Sequence, residues 1–131
     1  MSVNMELNFQ EQISLIDNCP LDNHTGDKIL FRCVENPISE NSFTPQAVLC
    51  KPKFQDYCPA WGLSVFSNYS HANQILKSLS KNKKVNYGGI AKSTITDDDG
   101  IKHSSTDKNH YTFFPKKDLD LLTKFTIVNG E

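Results

Sequence analysis

The chain predicts an α+β fold, a mostly antiparallel sheet carrying one principal amphipathic helix, on three observations. The run K-I-L-F-R-C-V over residues 28–34 is dense in β-formers and ends at the turn signal E-N-P. Residues 58–79 change hydrophobic period in mid-course, from strand patterning to a helical stripe. Elsewhere prolines, glycines and Asx residues cut the sequence into short segments that suit strands and turns. With 131 residues and 37% hydrophobic content, the chain can bury one core, so residues 1–131 are expected to form a single domain.

Taken in order, residues 1–27 mix the apolar Ile13, Leu15 and Ile16 with the turn-rich run N-C-P-L-D-N-H-T-G-D, and read as an N-terminal extension, loosely packed, holding a strand or short helix. Residues 28–34 follow as a buried strand whose odd member is Arg32. Between residues 36 and 59, Pro37, Pro45, Pro52 and Pro59 each remove a backbone donor and restrain the preceding residue, which predicts irregular loop. Leu63, Val65 and Phe66 read as strand. Ser67 or Asn68 then caps a helix over about 68–82, in which Ala72, Ile75, Leu76 and Leu79 fall at i, i+3, i+4 and i+7. The basic run 81–84 suits the carboxyl end of that helix. Residues 85–96 are β-rich around Gly88-Gly89, where a bulge is expected, and Asp99-Gly100 suits a tight hairpin leading back through residues 101–105. Residues 110–114 form a further strand, 116–122 a short helix or turn, and 125–128 the last strand.

Composition excludes several function classes. Fourteen basic and fifteen acidic residues leave a formal charge of −1, so no global field favours nucleic acid or an anionic membrane. No apolar run approaches the ~20 residues that cross a bilayer, and the first ten residues lack signal-peptide order, so a soluble, cytoplasmic location is expected. Its Lys, Asn and Ser content suggests a bacterial source. In that compartment Cys19, Cys33, Cys50 and Cys58 are expected as reduced thiols, mostly small buried hydrophobes. Neither they nor His24, His71, His103 and His110 show structural-zinc spacing. Asp97, Asp98 and Asp99 before Gly100 lack the alternation of a calcium loop and read as a solvated turn, so no metal site is expected. His103 and His110, on adjacent predicted strands, could face each other as acid and base or simply face solvent.

The segments L-F-R-C-V-E-N-P (30–37) and G-L-S-V-F-S (62–67), with the helix after them, resemble the small ADP-ribosyltransferase-related folds, including RES-type NAD-degrading toxins. The resemblance implies a nicotinamide pocket in which Arg32 binds the cofactor phosphate and Ser64 or Ser67 lines the ribose. No glutamate occurs between Glu40 and Glu131, so the acidic residue of those families has no glutamate counterpart here.

Two functions of different class follow. The first is a noncatalytic, cofactor-free protein-interaction module that binds another protein, with Trp61, Tyr69 and Phe113 as aromatic anchors and a homodimer as one form it could take. The second is an NAD-processing enzyme with Arg32 and Ser64 as its catalytic candidates.

Overall fold

The computed structural model describes residues 5–79, 87–106 and 109–129. Within them six strands, β1 (Lys28–Val34), β2 (Leu63–Phe66), β3 (Gly89–Ile95), β4 (Gly100–Ser104), β5 (His110–Pro115) and β6 (Thr126–Val128), form one sheet in the order β4-β5-β2-β1-β3-β6. Every pairing is antiparallel, so the architecture is α+β. The predicted β-dense run is the long inner strand β1, which pairs with β3 over all seven of its residues.

Strand alternation gives the sheet two apolar faces. Leu30 and Val34 of β1, Leu63 and Val65 of β2, and Phe113 of β5 pack on one face with Phe125. On the opposite face Phe31, Phe66 and Ile90 meet helix α3 (Tyr69–Leu79) through Ala72, with Ile75 and Leu76 beside it. Asn68 caps that helix, its Oδ1 accepting the His71 N–H at 3.0 Å. The predicted i, i+3, i+4 stripe is therefore the buried stripe. The basic run 81–84 lies outside the described residues.

The same helix-bearing face continues under the loops. Helix α1 (Gln10–Ser14), α2 (Gln46–Leu49) and the 3-10 turn Cys58–Trp61 bring Ile13, Ala47 and Trp61 onto Phe114. Leu7 and Ile13, in the stretch read as an extension, are buried there. A Cys19–Cys58 disulfide, Cα atoms 5.7 Å apart, ties that stretch to the turn. This corrects the expectation of free thiols at these two positions. The folded loops bring residues 39 apart in sequence within bridging distance, a proximity that spacing alone does not encode.

Two turns also differ from expectation. Asp99-Gly100 does not join a hairpin, because β3 and β4 lie far apart in the sheet order. The Thr96 hydroxyl accepts the Asp98 N–H and Asp99 Oδ2 accepts the Thr96 N–H, which folds residues Asp97–Asp99 into a 3-10 turn that redirects the chain. Gly100 then adopts φ +147°, and a Cβ there would stand 2.1 Å from the Phe114 carbonyl oxygen. β1 and β3 keep unbroken register from Lys28↔Ile95 to Val34↔Gly89, and the Gly88 N–H before that ladder donates to the Val34 carbonyl at 2.9 Å. Short helix α4 (Leu121–Lys124), capped by Asp120, leads into β6 as expected.

Candidate functional site

Strands β1 and β2 share a single residue pair, Phe31↔Phe66, whereas β1 pairs with β3 over seven residues and β2 with β5 over four. A fork of this kind strands backbone carbonyls that a continuous ladder would satisfy. Arg32 fills it. Its Nε–H donates to the Ser42 carbonyl at 2.9 Å and its Nη1–H to the Ser64 carbonyl at 2.8 Å, while Nη2 reaches the Tyr87 hydroxyl at 3.4 Å. Phe43 and Tyr87 place their rings 5.9 and 6.0 Å from the guanidinium carbon. Arg32 is 6% exposed and pairs with no carboxylate among the described residues. Burial pulls its pKa downward, a penalty on the charged form that Tyr87 and Cys33 partly offset.

Above the fork lies a cavity of about 460 Å³, within the usual range of small-molecule sites. The sheet supplies its floor through Cys33, Ser64, Phe66 and His110, α3 supplies His71, Ile75 and Leu79, and α2 supplies Gln46 and Leu49. Tyr87, Pro45 and Pro59 close the remaining sides, and the exposed Gln46 and Ser64 stand where solvent enters. Among the described residues, the lining includes arginine and two histidines but no aspartate or glutamate. Such a wall attracts anions and offers an apolar surface to the body that carries them.

At one side of this cavity three side chains form a chain of hydrogen bonds. Ser64 Oγ lies 3.1 Å from His110 Nε2, and His110 Nδ1 lies 2.9 Å from Ser105 Oγ. The register explains the first contact: Ser64 pairs with Thr112 and Phe66 with His110, so Ser64 and His110 are diagonal neighbours on one face. The Phe66 ring sits between the imidazoles, 5.2 Å from His71 and 5.3 Å from His110. Cys33 and Cys50 also border the cavity as free thiols. Burial raises the Cys33 pKa to about 11, against a smaller lowering by Arg32, so this thiol stays protonated.

Of the residues singled out from sequence, Arg32 and Ser64 come together at the cavity. Ser67 is not part of its wall; its N–H donates to the Asn109 carbonyl. Trp61 and Phe113 are 5% and 0% exposed, the indole donating to the Gln55 carbonyl, and Tyr69 sits edge-on to Phe31 on the inner side of α3. His103 bonds the Asp22 carbonyl rather than His110. Asp97 and Asp99 pair with Lys102 and Lys124, and no group of three or more potential metal ligands occurs among the described residues. His110, His71 and Tyr87 were not assigned to a common site with Arg32 from sequence, since their convergence depends on strand register and on where α3 lies.

Comparison of the chain with protein-family models, with curated proteins and with solved structures gave no match. No helix among the described residues is long and apolar enough to cross a membrane.

Proposed function

We propose that this domain binds a small anionic molecule, a phosphate or carboxylate carried on an apolar or aromatic body, in the Arg32 cavity. One observation carries the reading: a buried guanidinium without a carboxylate partner among the described residues borders a cavity whose wall holds no acid. A bound anion neutralises a charge that folding has already desolvated, and charge-assisted hydrogen bonds of this type contribute about 1.5–3 kcal/mol. Phe66, Ile75 and Leu79 supply apolar surface for the rest of the ligand.

NAD and its fragments belong to this ligand class, and the meeting of Arg32 with Ser64 is what favours them as the first probes. A protein-interaction role draws no support from Trp61 and Phe113, which serve the core. The expected cytoplasmic compartment stands against the Cys19–Cys58 bridge, which suits an oxidising one, and we read the working compartment as oxidising.

The test is a thermal-shift panel of NAD, ADP-ribose, inorganic phosphate and octanoate at fixed ionic strength, run on the wild type and on Gln46→Trp. Gln46 is exposed and borders the cavity, so tryptophan there obstructs the entrance without removing a packed side chain. Ligand at 100 times Kd stabilises by about 2.7 kcal/mol. At least one probe should raise the wild-type melting temperature by several degrees and fail on Gln46→Trp. A flat panel, or equal shifts in both proteins, refutes the reading.

A further inference from the structure

We infer that Ser64 is an activated nucleophile and that the cavity hydrolyses carboxylic esters of small anionic molecules; this deepens the anion-binding reading and rests on it. The geometry is that of a nucleophile, a base and an orienting group joined in sequence. Ser105 Oγ donates to the His110 carbonyl oxygen at 2.9 Å, and a hydroxyl has one proton to give. The same oxygen lies 2.9 Å from His110 Nδ1 and accepts from it in the tautomer protonated at Nδ1, the one that base catalysis at Nε2 requires. The lone pair then resides on Nε2, which faces Ser64 Oγ at 3.1 Å. The nucleophile is exposed at the cavity, while its own carbonyl is held at 2.8 Å by Arg32 Nη1. Arg32 and Ser64 both line the cavity, so a substrate held there by its anion is within the same enclosure as the Ser64 hydroxyl.

The steps balance as an ester hydrolysis. Ser64 Oγ gives its proton to His110 Nε2 and bonds to the acyl carbon; the bond from that carbon to the alkoxy oxygen breaks, and the departing alcohol takes the proton from Nε2. Water then attacks the acyl-serine as its proton passes to Nε2, the acyl carbon to Oγ bond breaks, and Ser64 recovers the proton as the carboxylic acid leaves. Ser105 is a positioning residue that holds the tautomer. Because it supplies a hydroxyl where a carboxylate would stabilise the imidazolium more, turnover is expected to be slow.

The experiment pairs fluorophosphonate labelling, read by peptide mass, with hydrolysis of mono-p-nitrophenyl succinate, whose free carboxylate suits Arg32, and of neutral p-nitrophenyl acetate. Wild type should be labelled on Ser64 and should prefer the succinate. Ser64→Ala should lose the label and about 100-fold or more of kcat/KM for the succinate. Ser105→Ala should retain the label and displace the acid limb of the pH–rate profile, which loss of stability alone would not do. An unlabelled Ser64, with equal hydrolysis by wild type and Ser64→Ala, overturns the nucleophile assignment. If the anion shift survives that result, binding stands and the chemistry alone falls; if the shift is also missing, both fall.

Discussion

Arg32 combines two roles that are usually separate. As a splint it joins the Ser64 carbonyl of β2 to the Ser42 carbonyl of the 3-10 turn Glu40–Phe43, and as a cation it charges the cavity beside them. Replacing it with alanine leaves two carbonyls without partners, each costing about 1–3 kcal/mol if they stay dry. Arg32→Ala should therefore lower the unfolding free energy by about 2–6 kcal/mol, measured by urea denaturation, as well as abolish anion binding. A loss confined to binding, with stability unchanged, would contradict the splint role. Arginine within a β-dense run was legible as the odd member of the strand; that it bridges a fork was not, because the single-pair contact of β1 with β2 is a matter of strand order and register, which the pattern of one strand does not carry.

At the scale of elements, the clearest sequence signals were those with a periodic physical cause. Strand β1 and the α3 stripe follow from alternation and from the 3.6-residue repeat, and both occur where patterning placed them. The turn at residues 97–99 was misread as part of a hairpin because Asp-Gly chemistry is local, whereas β4 pairs with β5, a choice of partner that turn residues do not encode. Asp97 accepts hydrogen bonds from the Lys102 ammonium at 2.6 Å and from the Gly26 N–H, and Lys102 has no exposed surface. These bonds hold the Asp97 pKa down to about 2, the Lys102 contact being the largest cause. A carboxylate whose folded pKa is depressed contributes stability above its unfolded pKa of about 3.9, and that contribution is lost as pH falls toward 2. Asp97→Asn should accordingly be less stable than wild type at pH 7, the gap narrowing below about pH 4. Urea midpoints recorded from pH 7 to pH 2 check this, and a gap constant across that range would contradict it. The ammonium of Lys102 loses its partner in the variant, so the destabilisation at neutral pH should exceed that of an exposed ion pair.

Across the whole molecule, the single sheet organises everything else: one face is core throughout, and the other is divided between α3, the stapled loops and the cavity between them. The α+β class was readable from sequence because hydrophobic pattern sets it. The cavity was not, since its wall draws on residues from Arg32 to His110 that only the strand order brings together. The disulfide belongs to this scale as well. It closes a loop of 39 residues, for which chain entropy implies a stabilisation of about 4 kcal/mol. Cys19→Ser with Cys58→Ser should lose an amount of that order and free residues 5–21 for proteolysis, whereas unchanged melting and cleavage would show that apolar packing of Leu7 and Ile13 suffices.

The central claim is that Arg32 carries the anion, and the most direct measurement follows its side chain. In an NMR titration of the nitrogen-15 protein with NAD and with inorganic phosphate, the Arg32 Nε–H resonance, assigned by its loss in Arg32→Lys, should move saturably with at least one of them. Its movement should disappear in Gln46→Trp. An Arg32 resonance that stays fixed while exposed lysine signals shift with added anion would contradict the account.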